Sequence, residues 1–480
     1  MTLMVSMAWI GVMLIVGVIL RVVIKPLGNI LMPACVIGGI IGFILMNTGI
    51  LTRLGVDFTM LNSIVTNLFT LTFISMGLTG TAKEEGVSTG KESTKGAALE
   101  GFVWGFLYSG QAVVAFATLL LVGGFFGMSA NYGLQIPFAF CQGPGQSATY
   151  GGMIEAGGLM PDAQQVGLTF AVLGFVWAFV VGVPMAKKGL KKGLATYPRE
   201  ISEGIKKGIL EPGDPEIYPA GKQTTYSGNI DALAFSFGLV GIGYALTNPI
   251  CTALRSIPAV FGENVVTSFV STMGSMEFFW GLIVGYIIKF VMNKTNTKRF
   301  HDDALQARIT GWGTDFMICA AFMAVQFAVV GKWLIPILIA CATTGLLTFF
   351  VCLFFCEHLR GAYDFERFLG LWGTSTGTCP SGVALIRIVD PELKTTAAAE
   401  MGLMNVFMLV GGNVAPFVVM YCTGTLSGVA MIGLYCLFGL GSLACVFIFR
   451  LFHKKKSFSL SKGERYLTLE DIKKQAEAKQ

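Results

Sequence analysis

Eleven largely apolar stretches make up most of this chain, and they leave it few ways to fold. The first, Met4 to Ile24, meets no charge before Arg21. Hydrocarbon offers no water to a backbone, so a spanning stretch must satisfy its own N–H and C=O groups and reads as an α-helix. Two further stretches lie at similar depth in the sequence and cannot continue a helix. Phe140 to Gly152 carries Gly143, Pro144 and Gly145 in a row; Trp372 to Gly382 carries Gly373, Gly377 and Pro380 among five Ser and Thr residues. Pro removes a backbone donor and Gly permits reversal, so both are expected to break. A broken backbone is tolerated at membrane depth only where protein or a wet cavity covers it, which makes each a re-entrant hairpin lining a path.

Composition agrees. Of 480 residues, 54% are hydrophobic and 13% charged, with mean hydropathy +0.68, against about 25% charged in soluble domains. The formal charge of +6 sits in loops between spans, so it reports topology and argues against nucleic acid as a partner. The 11 cysteines lie mostly in apolar spans without metal-ligand or disulfide spacing, and read as small core residues. His301, His358 and His453 fall in charged loops. With no nucleophile–base pair, metal cluster or phosphate loop, an enzyme is not expected, and no cofactor beyond a coupling ion.

Taken in order, the spans are Met4–Ile24, Leu31–Met46, Thr59–Gly80, Ala97–Gly127 and Gln165–Met185, with the first break before the last of these. Asp231–Leu254, Phe269–Met292, Ile309–Val330, Trp333–Phe355 and Thr395–Tyr421 repeat that order, and Val429–Phe452 adds an eleventh span. The expected fold is an all-α polytopic membrane protein of two inverted repeats, 1–186 and 229–421, each with five spans and one hairpin. A basic linker at 187–228 separates them, and an extra helix at 422–456 and a tail at 457–480 follow. Five crossings per repeat force opposite orientations. Placing the N-terminus outside puts Lys83–Lys95, Lys187–Lys207, Lys294–Arg299 and Lys454–Lys456 inside, leaving Arg53, Arg255 and Lys332 outside. A shared offset of 232 residues separates Gly145 from Gly377 and Pro184 from Pro416. In the tail, Thr468 to Asp471 has the pattern of a capping box.

After each break the chain can restart as a helix, Gln146 to Ala156 and Cys379 to Ile388, whose free first amides and positive dipole end attract a carboxylate. Gly143, Gly145, Gln146, Ser147 and Thr149 from the first break, and Thr376, Gly377, Thr378 and Ser381 from the second, are therefore the candidate substrate-binding set. Arg387, which closes the second restarted helix, is added as a carboxylate partner, with snorkelling to the inner face as its competing role, and Glu155 is expected in water. Freed carbonyls beside Gln142, Thr374 and Ser375 are neutral hard oxygens suited to sodium. Thr169, Asn405 and Asn413, on the spans after the hairpins, are candidates to complete its shell. For these polar groups, hydrogen bonds to their own or a neighbouring helix are the competing role. Asp315 and Glu400 are the carboxylates nearest span interiors and so functional candidates by default, with capping of a helix start after Gly313-Thr314 as the alternative for Asp315.

The order of elements and several local sequences resemble the sodium/glutamate symporter family, related in fold to the sodium–citrate 2-hydroxycarboxylate transporters. Carrying the resemblance are Met32 to Gly39, Gly143 to Gly145 with Ala148 and Tyr150, Gly182 to Ala186, Tyr363 and Asp364, Gly373, and Thr376 to Ser381. It implies a bacterial inner-membrane homodimer in which a mobile domain carries glutamate and sodium across by an elevator movement, binding them around 143–147 and 376–381. The chain departs from the family in lacking a histidine in its first hairpin, in having fewer glycines in its second, and in its longer insert and eleventh span. A citrate- or malate-type carrier therefore stays open, as does a passive channel filtered by the broken helices.

Overall fold

The computed structural model describes residues 2–79, 90–158, 160–197, 203–209, 221–390, 394–412 and 414–467. Among the described residues regular structure is almost entirely helical, with one short antiparallel ribbon, Phe458–Ser459 against Glu464–Arg465. Seven of the described helices are long and apolar enough to cross a membrane, or up to nine if each of two bent pairs is one span. The protein is an all-α membrane protein. Large apolar side chains such as Ile15, Leu121, Phe350 and Ile448 stand exposed on its outside, as lipid-facing residues do.

The first half runs α1 (Thr2–Val23), α2 (Ala34–Asn47), α3 (Phe58–Thr79), α4 (Lys91–Val122), a short α5 (Ile136–Phe140), α6 (Pro144–Ala156) and α7 (Ala163–Lys191). The second half runs α8 (Ala232–Arg255), α9 (Val265–Gly274), α10 (Glu277–Lys294), α11 (Asp303–Ala324), α12 (Leu334–Glu357), α13 (Asp364–Thr376), α14 (Cys379–Val389), α15 (Ala397–Gly412) and α16 (Ala415–Cys422). The last helix is α17 (Gly428–Ile448). Within the linker, Glu203–Lys207 forms one helical turn. The capping-box pattern at Thr468 lies outside the described residues.

Several expected spans differ in detail. The stretch Phe269–Met292 is not continuous: α9 and α10 meet at Ser275 and Met276 with a bend of 66°. The last repeated span bends by 41° between α15 and α16, where Pro416 sits in the first turn of α16 and cannot donate to the helix before it. Ile309–Val330 is shifted toward the N-terminus, because the chain leaves α11 at Val325 in an extended conformation. Asp315 consequently lies inside α11 and is not a cap. The second span is short, 14 residues, starting after Pro33.

Glycines bring the helices together. A Cβ on Gly17 would stand 2.1 Å from the Ala34 carbonyl, and one on Gly38 would stand 2.0 Å from that of Met13, so α1 and α2 cross with backbones touching. Gly77 and Gly285 do the same for α3 and α10, and Gly105 and Gly411 for α4 and α15. With no hydrophobic force between helices in lipid, such dispersion contact and close backbone approach hold the bundle. Adding one methyl at Gly38 should therefore cost about 1–3 kcal/mol through overpacking. Thermal unfolding of the detergent-solubilised protein should show a lowered midpoint for Gly38→Ala and no change for Gly433→Ala, where nothing lies within 4 Å.

Candidate functional site

Both breaks occur, and each joins two antiparallel arms. In the first, α5 stops at Phe140, Gly143 takes φ +81°, and Pro144 opens α6 where its missing N–H has no helical partner to lose. The arms lie side by side, with Phe138 and Tyr150 ring centroids 4.5 Å apart. In the second, Gly377 ends α13, Thr378 is extended, and Cys379 and Pro380 open α14. Its arms are closer still, since a Cβ on Gly373 would stand 2.7 Å from Gly382 Cα.

The two breaks touch. A Cβ on Gly143 would fall 2.4 Å from Thr378 Cγ2 and 3.3 Å from the Gly377 carbonyl oxygen. Helix α7 seals another side, where a Cβ on Gly174 would fall 2.5 Å from the Thr376 carbonyl. Helix α4 runs past both breaks and ties them together through side chains at helical spacing. Trp104 Nε1 donates to the Cys141 carbonyl at 3.3 Å, Tyr108 Oη to Gln142 Oε1 at 3.0 Å, and Gln111 Nε2 to the Ser375 carbonyl at 2.8 Å. Backbone acceptors freed by the interruptions are thereby satisfied from a continuous helix.

The structure sorts the expected site residues. At the junction itself lie Gln142, Gly143, Gly377 and Thr378; Gln142 and Thr378 are half-buried and Pro380 is exposed, so one side of the junction is open. The first amides of α6, at Gly145 and Gln146, and that of Cys379 in α14 have no intrahelical acceptor. Ser381 pairs its hydroxyl with that of Thr378 at 3.3 Å. Gln146 Oε1, Ser147 Oγ and Ser375 Oγ are buried with no hydrogen-bond partner among the described residues. Thr149, Thr169 and Thr376 donate to carbonyls four residues back in their own helices, so these hydroxyls are used locally. Thr374 is buried with its hydroxyl 3.5 Å from Met401 Sδ.

Gly145 and Asn405 fit less well, and Arg387 takes the snorkelling alternative. Gly145 is not at the break but in the first turn of α6, where its bare Cα admits Phe69: an added Cβ would stand 2.2 Å from that ring. Arg387 is exposed in the last turn of α14, away from the break. Asn405 is exposed and donates to the carbonyls of Met401 and Gly402 in its own helix. Asn413 lies outside the described residues. Glu155 is exposed, as expected, and accepts from the Gln164 amide at 3.0 Å.

Sequence reading missed two groups. Gln135, in the turn leading into α5, is fully buried, and neither amide atom has a partner among the described residues. A Cβ on Gly167 would stand 2.7 Å from Ser147 Oγ and 3.5 Å from Gln135 Oε1, which places these neutral oxygens on one side of α7. Such oxygens suit a hard monovalent cation; Ser147 already belongs to the expected set, and for Gln135 the only hint was a polar residue shortly before Pro137. The second group is ionic. Arg367 is fully buried and binds Glu400 through Nε and Nη2 at 2.7 and 2.9 Å, Asp364 at 2.9 Å, and Glu92 at 3.1 Å. Three charged residues within four positions, Asp364, Glu366 and Arg367, were its sequence signal.

No protein-family model matches the chain, and no curated protein matches it.

Gly143 is the position where the junction allows least. An L side chain there would be strained by φ +81° and would collide with Thr378. Gly143→Val should leave expression and membrane insertion intact while reducing ligand-induced stabilisation, or uptake, by at least about tenfold. Gly124→Val, with nothing within 4 Å of its Cβ, should behave as wild type in the same assays.

Proposed function

We propose that this protein is a secondary transporter that carries a small carboxylate, glutamate or a related acid, together with sodium. The observation that carries the reading is the meeting of two interrupted segments, Gly143 against Thr378, with two helix N-termini beside buried oxygens that lack partners. Helix N-termini supply donors and positive potential for a carboxylate. Neutral oxygens such as those of Gln135, Gln146, Ser147 and Ser375 are ones that could take up sodium. Broken helices meeting in this way are a feature of transporter sites near the membrane midplane.

The proposal includes two inverted repeats of five spans and one hairpin, eleven spans in all. Packing supports it: α4 lies on α15 as α12 lies on α7, and α3 lies on α10 as α11 lies on α2. Helices α3 and α11, the third spans of the two halves, pack on each other, as a pseudo-twofold axis between repeats requires. Basic loops then set the N-terminus outside and the linker and C-terminus inside a bacterial inner membrane. The family resemblance extends the reading to a homodimer with an elevator-like moving domain. A citrate- or malate-type carrier is the second reading, because the chain departs from the family at both breaks, where substrate would touch: Cys141 to Gln146 holds no histidine and Gly373 to Gly377 is poorer in glycine.

Purified protein in liposomes should accumulate labelled glutamate, or an acid that competes with it, only under an inward sodium gradient. Accumulation against the substrate's own gradient distinguishes a carrier from a passive channel. No uptake of any amino acid or di- or tricarboxylate under sodium or proton gradients would reject transport.

A further inference from the structure

Helix α4 carries one carboxyl group that none of the contacts above uses. Glu100 is fully buried, and among the described residues neither carboxyl oxygen has a hydrogen-bond partner. Along the helix it lies one turn beyond Gly96, whose added Cβ would stand 2.1 Å from Glu400 Oε2 and 2.4 Å from Arg367 Nε. One turn further is Trp104, which donates to the first break. Glu100 therefore stands between the ionic cluster and the junction of the breaks.

Among the described residues no cation is left to pair with it. All five N–H groups of Arg367 are taken: Nε and one of Nη2 by Glu400, the other of Nη2 by the Glu92 carbonyl, and the two of Nη1 by Asp364 and Glu92. Lys95, on the same helix, donates to the Leu359 carbonyl at 2.8 Å. Of the charged groups facing Glu100, the carboxylates of Glu400 and Asp364 outnumber the one cation, Arg367, by one. The groups facing Glu100 from its neighbours are Glu400 on α15 and Arg367 and Asp364 on α13. Cys352 and Cys356 face it from α12, and Cys379 from the start of α14. Helix α17, which also packs on α4, carries no charged residue.

We propose that Glu100 is a proton-binding site, held as the neutral acid in this conformation, and that its proton is bound together with the anionic substrate at the two breaks. An unpaired carboxylate buried beside another carboxylate is far costlier than the acid. Cys379, the first residue of the second restarted helix, is within electrostatic reach of Glu100, so ionising Glu100 places negative charge near the anion's seat. Proton and anion then favour each other's binding by the same factor, on the order of tenfold for a typical coupling. The coupling rests on the carboxylate-transport reading; the proton site does not.

The test has two arms. Infrared difference spectroscopy of the purified protein on changing pH should show a carboxylic-acid carbonyl band that Glu100→Gln lacks and Glu100→Asp shifts. In the second arm, wild-type affinity for the transported acid should fall roughly tenfold as pH is raised through the titration of that band. Glu100→Gln should bind and exchange the acid with no such dependence, and should lose stimulation of uptake by a proton gradient. An acid band unchanged in Glu100→Gln would overturn the proton site. A band lost together with an unchanged pH dependence of binding would overturn the coupling. If wild type binds no carboxylate but the band belongs to Glu100, transport of a carboxylate and its coupling fall while the proton site stands.

Discussion

An interrupted helix inside an apolar bundle survives only if something else meets the backbone groups it sets free. Here each interruption is met partly by the other and partly by α4. Gly143 presses on Thr378 and the Gly377 carbonyl, while Trp104 and Gln111 reach across to the carbonyls of Cys141 and Ser375. Neither break could move far alone without stranding an acceptor, and each stranded buried group costs about 1–3 kcal/mol. That mutual dependence gives the two halves of the chain one shared centre. It also keeps a few polar atoms, those of Gln135, Gln146, Ser147 and Ser375, in reserve beside it.

The ionic cluster anchors the same helix. Arg367, Asp364, Glu92 and Glu400 come from α13, α4 and α15, so their bonds fix the end of α4 against the arm of the second break and the helix after it. Buried ion pairs seldom add net stability, because desolvation offsets most of the attraction, but breaking one leaves an uncompensated charge that costs about 3–5 kcal/mol. The cluster therefore specifies register more than it stabilises. With α4 fixed at that end, Trp104, Tyr108 and Gln111 are fixed where the breaks need them. A short strap from the C-terminal side reinforces this: the Ser457 amide donates to the Glu357 carbonyl at 2.8 Å and Arg465 Nη2 to that of Ala362 at 3.0 Å.

Much of this was legible from residue order. The helical membrane class followed from apolar length, and the breaks followed from Gly143–Pro144 and Gly377–Pro380, whose backbone chemistry admits little else. What could not be read was tertiary. Gly145 looked like a tip residue but is a packing glycine against Phe69, a distinction that depends on a partner 76 positions away in the chain. Thr149, Thr169 and Thr376 looked available yet bond their own helices, as hydroxyls in apolar helices commonly do. Asn405 and Arg387 face outward because the rotation of a helix about its axis is set by neighbours. Arg367 was overlooked because two of the carboxylates it binds reach it only through the fold, Glu92 from 275 and Glu400 from 33 positions away. The bends at Ser275 and near Pro416 arise where Pro or packing interrupts a stretch whose hydropathy is continuous.

The central claim is that both breaks belong to one binding site, and thiol accessibility tests it most directly. Gln142→Cys and Thr378→Cys, each in a background where Cys141 and Cys379 are replaced by alanine, place a reporter on either side of the junction. Both should react with a small polar thiol reagent, and a single acid in the presence of sodium should slow both reactions together. Protection at one position and not the other, or at neither by an acid the protein is shown to bind, would contradict a shared site.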